Sequence, residues 1–190
     1  VEESLANPYG SPSLEELCAG KKDIVIISSD HTRPVPSRVT MPILLHHIHS
    51  AAPEARVRIL VATGMHRPST HEELVNKYGE EIVANEEIVM HVATDDSMMK
   101  KIGTLPSGGE CIINKIAVDC DLLLAEGFIE PHFFAGFSGS RKSVLPGIAS
   151  YKTIMYNHNG QFVNDSHSRA GNLCHNHVSE DMFAAAEMAH

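Results

Sequence analysis

The sequence predicts an α/β fold with an open, largely parallel sheet flanked by helices. Short, continuous apolar runs recur along the chain, as is typical of strands buried on both faces. Helix-forming stretches separate these runs, and strands that alternate with helices form parallel sheets. With 190 residues, of which 43% are apolar, the chain fits one domain with a buried core. We therefore expect a single Rossmann-like domain over residues 1–190.

The first predicted strand is the apolar run at 24–27 (IVII). It leads into the polar loop 30–37 (DHTRPVPS), in which the prolines exclude regular structure. Ser37 is a candidate N-cap for a helix over residues 39–52. Pro42 lies near the start of this helix, where proline disturbs the first turn.

A second strand is predicted near 57–62, and the loop 63–70 (TGMHRPST) follows it. The stretch HEELVNKYG then begins with a capping-box pattern, in which a hydroxyl residue and a glutamate satisfy each other's backbone N–H groups. This pattern predicts a helix start. The candidate residues of the box are Ser69 or Thr70 with Glu72 or Glu73.

Three more strands are predicted in the second half of the chain, near 87–93, 110–116 and 121–129. The last of them, DLLLAEGFI, is the most apolar, so we expect it at the centre of the sheet. Further helices are predicted around residues 140–148, 150–157 and 178–189.

The composition argues against several classes of function. A formal charge of −9 does not suit a nucleic-acid partner, because phosphates require a cationic surface. There is no apolar run long enough for a membrane span and no signal-peptide pattern at the start. The four cysteines show no CxxC spacing, which favours reduced thiols in a cytoplasmic protein over a zinc knuckle or a disulfide framework.

Charged and imidazole side chains follow three of the predicted strands. In open α/β sheets, ligands bind beyond the carboxyl ends of the strands. We therefore expect these side chains to share one crevice. They are Asp30 and Arg33 after the first strand, His66 and Arg67 after the second, and His132 after the strand 121–129.

The stretch GFSGSRKS, at 136–143, resembles a phosphate-binding loop but lacks its spacing. That loop requires a glycine directly before the lysine, whereas here Arg141 precedes Lys142. The glycines and the basic pair still suit an anionic group at a helix start. A flexible turn with a solvated basic pair is the alternative.

His66 and His132 suit an acid–base pair, because imidazole exchanges protons near neutral pH and inversion of a stereocentre needs proton transfer on both faces. Arg33 suits a bidentate grip on a carboxylate or phosphate. An ion pair between Asp30 and Arg33 that braces the turn is the alternative. His158, at a predicted helix end, is either a partner of the helix dipole or a metal ligand.

The histidines of HHIH at 46–49 point in different directions from a helix, with Ile48 facing inward, so they predict a helix face rather than a metal site. His91 alternates within a predicted strand and is interpreted as structural.

Four blocks, DHTRPVP, TGMHRPST, EPHFFAGFSGSRKSVLPG and YNHNG, occur in this order. Together they resemble the N-terminal domain of the lactate racemase family, nickel-pincer enzymes that interconvert the enantiomers of 2-hydroxy acids. The resemblance covers essentially the whole chain and implies a nickel-bearing pyridinium mononucleotide with sulfur arms (a pyridinium-3-thioamide-5-thiocarboxylic acid mononucleotide).

The resemblance also implies roles for single residues. Lys142 matches the lysine that tethers the cofactor through a thioamide, and His158 matches the histidine that binds nickel. His66 and His132 match the acid–base pair that serves hydride transfer from and to the substrate carbon. The block that contacts cofactor and substrate matches Asp30, His31, Thr32 and Arg33, with Arg33 binding the substrate.

The chain departs from the family pattern at Ser140, where we expect glycine, and at Tyr156, where a small residue is usual. Either change would affect substrate size or cofactor loading. Nothing here corresponds to the family's C-terminal domain, which closes over the site. We therefore expect little racemase activity from residues 1–190 alone, and we expect that domain, the cofactor-synthesis proteins and a small 2-hydroxy acid as partners.

Two other classes of function remain open at this point. One is an α/β module that binds a small phosphorylated or carboxylated ligand without catalysis. The other is a mononuclear metal hydrolase that uses the clustered histidines and is independent of Lys142.

Overall fold

The structure, a computed structural model, describes residues 1–139 and 141–189. The strands are β1 Asp23–Ser29, β2 Arg56–Ala62, β3 Glu87–Met90, β4 Met99–Thr104, β5 Glu110–Asn114, β6 Leu122–Ala125, β7 Pro131–His132 and β8 Gly136–Phe137. The α-helices are α1 Glu2–Ala6, α2 Leu14–Cys18, α3 Ser37–Ala51, α4 His71–Tyr78, α5 Glu80–Asn85, α6 Lys115–Asp119, α7 Arg141–Val144, α8 Tyr151–Asn157, α9 Gly160–Val163 and α10 His177–Ala189. A 3₁₀ turn spans Asp96–Met98.

The main sheet has four parallel strands in the order β3-β2-β1-β6. The predicted α/β fold with a parallel sheet is therefore confirmed. The prediction that DLLLAEGFI lies at the centre is wrong, because β1 takes that place and β6 forms an edge of this sheet. An apolar sequence reports burial rather than strand order, and the leucines of β6 are only half-buried.

Residues 110–114 form a strand, as predicted, but outside the main sheet. They pair antiparallel with β4 in a separate two-stranded sheet. Strand β4 was not predicted, because MKKIGT is mostly polar or half-exposed and has no continuous apolar run. This hairpin packs against α6, α8 and α10.

Side chains of β1 alternate between the two faces of the sheet, as the pleat of a strand requires. Ile24 and Ile26 pack with the buried face of α3, where Met41 and Ile48 lie. Val25 and Ile27 pack into a second apolar cluster, which Leu145, Ile148 and Met182 complete. Both faces of the sheet are covered. A ligand can therefore bind beyond the carboxyl ends of the strands.

The predicted capping box of α4 is confirmed, with Thr70 accepting from the N–H of Glu73 and Glu73 accepting from Thr70 in return. The N-cap predicted at Ser37 is wrong. Pro36 occupies that position, and Ser37 is the first residue of α3, where its hydroxyl donates to Glu126 instead. No helix in the described part of the chain is long and apolar enough to cross a membrane.

Candidate active site

A cavity of about 740 Å³ lies where β1, β2 and β6 end. Six of the residues singled out in the sequence line it: Asp30, Arg33, His66, His132, Lys142 and His158. Loops after three adjacent strands, the β7–β8 hairpin and two short helices bring them together. The location is the one that open α/β sheets use for ligands.

Asp30 and His66 form a hydrogen bond of 2.6 Å between Oδ2 and Nδ1. Asp30 is buried, which by itself would raise its pKa, but hydrogen bonds from Thr32 and His66 outweigh burial and lower the pKa below the ordinary value. An ionised carboxylate only accepts hydrogen bonds. Nδ1 of His66 therefore carries the hydrogen, and in the neutral ring Nε2 is left as a proton acceptor.

His132 has the opposite arrangement. It ends β7, and its Nδ1 accepts a hydrogen bond of 3.3 Å from the backbone N–H of Ala135. In the neutral ring the hydrogen therefore lies on Nε2. Burial, followed by the positive charges of Lys142 and Arg33, lowers the pKa of His132 to about 4. In their neutral forms, His66 can therefore accept a hydrogen bond at Nε2, and His132 can donate one from Nε2.

Lys142 lies in α7, with its ammonium 5.7 Å from the ring centroid of Phe134. Burial lowers the pKa of Lys142 to about 8, and the neighbouring charges of Arg33 and Arg141 lower it further in the same direction. A lysine with this pKa is partly an uncharged amine near neutral pH, so it is a competent nucleophile.

His158 is the C-cap residue of α8, and its backbone N–H donates a hydrogen bond to the carbonyl of Ile154. Its Nδ1 is buried without a hydrogen-bond partner in the described structure. Burial, then the charge of Lys142, lowers the pKa of His158 to about 4. A helix-dipole partner would be stabilised in its charged form, so the neutral, unpaired imidazole favours the ligand alternative.

Arg33 makes no ion pair within the described residues, and Asp30 is bonded to His66 and Thr32 instead. The alternative of an Asp30–Arg33 pair is therefore not what the structure shows. The guanidinium of Arg33 lines the cavity with its donors available to a carboxylate.

His31, Thr32 and Arg67 do not line the cavity. His31 contacts Ser69 Oγ at 3.0 Å, and the hydroxyl of Thr32 donates to Asp30 at 2.6 Å. The guanidinium of Arg67 is bonded to both oxygens of Glu73, which holds it away from the crevice that the sequence predicted for it.

Arg141 is buried rather than solvated. Its guanidinium donates to the carbonyls of Ala135 and Phe137, in the hairpin of His132, and lies 4.6 Å from the ring centroid of Phe183. Its hydrogen bonds hold the β7–β8 hairpin. Of the basic pair, Arg141 therefore has a structural role, and Lys142 lines the cavity.

Structural partners account for His47, His49 and His91. His47 bonds Glu2 and Glu15, His49 bonds Glu86, and Ile48 between them is fully buried, so HHIH is a helix face as predicted. His91 directly follows β3, where it is fully buried and its Nε2 lies 2.9 Å from the carbonyl of Ala149.

A family model of the lactate racemase N-terminal domain matches residues 1–171. The chain belongs to the lactate racemase family. It is 71% identical over 189 residues to a lactate racemase of Lactiplantibacillus plantarum, covering 100% of this chain and 45% of that protein. It is 54% identical to a lactate racemase of Thermoanaerobacterium thermosaccharolyticum, covering 100% of this chain and 44% of that protein.

A solved structure agrees with this family membership. The lactate racemase apoprotein from Thermoanaerobacterium thermosaccharolyticum superposes with a TM-score of 0.97 at 54% identity, over 99% of this chain and 45% of that one. A protein from Thermotoga maritima shares the fold, with a TM-score of 0.74 at 22% identity over 92% of this chain and 46% of that one. The chain spans less than half the length of the lactate racemases it matches.

Two residues of the cavity suit the metal-bearing cofactor that the sequence resemblance implies. His158 presents a buried, unpaired nitrogen, and Lys142 an amine of lowered pKa. Within residues 1–139 and 141–189, no three histidine, cysteine, aspartate or glutamate side chains converge on a metal position. A metal bound by His158 therefore needs further donor atoms from a bound group, whereas a hydrolase site supplies three protein ligands.

Of the two departures from the lactate racemase pattern, Ser140 lies outside the described residues. Tyr156 does not line the cavity. Its hydroxyl donates to the carbonyl of Ser107 at 2.8 Å, and its ring packs on Gly109 in the β4–β5 turn. The size of the Tyr156 side chain therefore affects packing at the β4–β5 hairpin and not the volume of the cavity.

Sequence reasoning missed Glu126, which lines the cavity and is buried at 7% exposure. A single signal pointed to it: a glutamate at the end of the most apolar strand of the chain. Because Lys, Glu, Arg and Asp are almost never fully buried without partners, such a position predicts a compensated charge.

Proposed function

We propose that this chain is the cofactor-bearing domain of a racemase that acts on lactate or a related 2-hydroxy acid. The observation that carries the proposal is the pair of imidazoles in one cavity, with Nδ1 of His66 donating to Asp30 and Nδ1 of His132 accepting from Ala135. One imidazole can remove the hydroxyl proton of the substrate and return it, while the other can donate a hydrogen bond to the same oxygen.

In the proposed complex, Lys142 would hold the nickel-pincer nucleotide through a thioamide, formed from its amine and a thiocarboxylic acid group with loss of water, and the imidazole of His158 would be a ligand of the nickel. When bound, this group would supply the acceptor and the donor of hydride for the substrate carbon. The protein residues supply binding and proton transfer.

Arg33 binds the substrate carboxylate, because its guanidinium lines the cavity with free donors. One of the two imidazoles takes the hydroxyl proton as the C–O bond becomes a carbonyl. The imidazolium formed in this way returns that proton to the same oxygen when the alcohol is formed again. Asp30 stabilises the charged form of His66 after proton uptake, because its ionised carboxylate accepts from Nδ1 at 2.6 Å.

The whole polypeptide's activity is tested by coexpression with cofactor-synthesis proteins. We expect the purified protein to convert D-lactate into a mixture with L-lactate, and intact mass to show an adduct that Lys142→Ala abolishes. His66→Gln and His132→Gln keep the adduct but lose turnover. A protein that binds hydroxy acids with unchanged affinity in both variants and never turns them over would be the binding module instead.

Residues 1–190 alone are expected to carry the adduct and show little turnover, since the lactate racemases they match are more than twice as long. Robust racemisation by this fragment would contradict that expectation. We place the protein in the cytoplasm on its cysteine pattern.

A further inference from the structure

Glu126 is a buried carboxylate that the proposed mechanism does not use. It directly follows β6 and lines the cavity. Three hydroxyl groups donate to it, Ser28 at 2.7 Å and Ser37 at 2.8 Å to Oε2, and Thr40 to Oε1. A buried charge is stable only when such partners are in place, so the carboxylate and the three hydroxyls constrain one another.

The three donors stand on either side of the loop of residues 30–36, called the DHTR loop below. Ser28 lies in β1, just before the loop, whereas Ser37 and Thr40 lie in the first turn of α3, just after it. A single carboxylate, directly after the neighbouring strand β6, therefore accepts hydrogen bonds from residues on both sides of the DHTR loop.

Helix α3 depends on this carboxylate for the charge at its N-terminus. Its N-cap is Pro36, no side chain caps it, and its first turn contains no acidic residue. Helix N-termini carry a partial positive charge that anions stabilise. Glu126 supplies the negative charge through Ser37 and Thr40, so loss of that charge would release the helix start and the DHTR loop together.

The DHTR loop carries two groups of the candidate active site. Asp30 bonds His66 at 2.6 Å, and Arg33 lines the cavity. On the same side of the loop, the ammonium of Lys77 donates to Ser29 Oγ at 3.1 Å and is attracted by both Glu126 and Asp30. Charged groups directly after β6 and in α4 thus contact residues on the borders of the DHTR loop.

We propose that Glu126 is a positioning residue of this site: its carboxylate places Asp30 and Arg33 and, through Asp30, orients His66. The kinetic consequence rests on the proposed racemase function. The consequence for the ring of His66 does not, because it concerns a hydrogen bond that is present without substrate or cofactor.

The test uses the complete polypeptide that contains this chain, with Glu126→Gln as the main variant. Glutamine keeps the volume but replaces one acceptor oxygen by a donor, so it cannot accept from all the hydroxyls in the same way. We expect kcat for D-lactate in the cofactor-loaded protein to fall roughly 10- to 100-fold, because small misplacements of catalytic groups have effects of this size. KM rises as well, since Arg33 moves with Asp30.

Two further variants relate the effect to the carboxylate. Glu126→Asp keeps both acceptor oxygens and the charge, and it recovers part of the lost kcat. Thr40→Val keeps the carboxylate and removes one donor, so it lowers kcat in the same direction by a smaller factor. If Glu126→Asp loses as much kcat as Glu126→Gln, and Thr40→Val does not differ from the wild type, the carboxylate does not position the loop.

Asp23→Asn is the matched control. Asp23 pairs with the buried Arg58 at 2.5 Å, at the opposite end of β1 from the DHTR loop. This variant lowers the unfolding temperature without changing kcat or KM. A loss of kcat in Asp23→Asn as large as that in Glu126→Gln, at an equal loss of unfolding temperature, would reduce Glu126 to a purely structural role and overturn the proposal.

A second readout needs no cofactor. In protein with isotope-labelled histidine, the ring shifts of His66 report which nitrogen carries the hydrogen. We expect the Nδ1–H form in the wild type and in Asp23→Asn, and a mixture of both forms in Glu126→Gln. An unchanged ring in Glu126→Gln overturns the positioning role even if the protein racemises lactate, whereas a changed ring supports it even if lactate is not the substrate.

Discussion

The carboxylate of Asp30 is buried, and the imidazole of His66 that it bonds at 2.6 Å is exposed to the cavity. This pairing orients the ring from behind: Nδ1 is occupied by a carboxylate held by Thr32, and Nε2 remains for the substrate. The same arrangement of carboxylate and imidazole prepares a general base in other enzymes.

Asp30→Asn removes the charge of this pair while keeping its shape. We expect kcat of the loaded protein to fall about 100-fold or more, because the ring loses both its preferred tautomer and the stabilisation of its charged form. Steady-state racemisation of lactate measures this. Asp165→Asn changes a comparable aspartate, which bonds His167 at 2.9 Å outside the cavity, and an equal loss in that variant would show that the effect is not specific to the site.

Lys142 is expected to titrate near pH 8 in the cofactor-free protein, well below an ordinary lysine. Reductive methylation followed by NMR titration of the labelled methyl groups measures its pKa directly. Burial is the largest cause and the charge of Arg33 the next, so Arg33→Gln raises the pKa part of the way towards its ordinary value. Arg56→Gln removes an exposed arginine that is paired with Glu87, and a rise of the same size there would exclude a local effect of Arg33.

His91 makes the folded protein sensitive to acid. Burial lowers its pKa from 6.5 to about 4 in the folded state. Because the unfolded chain takes up this proton first, the contribution of His91 to stability is complete above pH 6.5 and is lost as the pH falls towards 4. The loss amounts to roughly 3 kcal/mol at most.

Urea unfolding of cofactor-free protein between pH 7 and pH 4 measures that dependence. In His91→Gln the amide can still donate to the carbonyl of Ala149, while no proton is taken up at this position. We expect lower stability at pH 7 and a shallower fall with acid. A slope identical to that of the wild type would show that His91 does not contribute.

Arg141 is expected to act on stability through the hairpin of His132. Arg141→Met keeps a stem of similar length to that of arginine and removes the donors to Ala135 and Phe137, which lowers the free energy of unfolding by about 2–3 kcal/mol. Phe183→Leu removes only the ring beneath the guanidinium and costs about 1 kcal/mol. Equal losses in the two variants, measured by urea unfolding, would contradict the hydrogen-bonding role.

Much of the fold could be predicted because the strands β1 and β2 are continuous apolar runs and the α4 capping box is a local motif. Two features could not. The place of β6 at an edge depends on pairing with β1 rather than on its own residues. Strand β4 is stabilised by pairing with β5 and by packing on α10, which its polar sequence does not reveal.

The site divides in the same way. Residue type and position after a strand were enough to predict that Asp30, Arg33, His66 and His132 are neighbours. The carboxyl ends of parallel strands lie at the same end of the sheet, so the residues that follow them lie close together. The motifs that relate the chain to the lactate racemase family added Lys142 and His158. By itself, the sequence thus determined the fold class and six members of the cavity, but it also placed Arg67 there and missed Glu126.

Only the tertiary structure decided what each member does there. It separated Arg141, bound to backbone carbonyls, from Lys142, and it set the imidazoles of His66 and His132 in opposite hydrogen-bonding states. It also revealed Glu126 beneath three hydroxyls. Hydrogen bonds and desolvation arise between groups distant in the chain, so protonation and partners follow from the folded arrangement and not from local sequence.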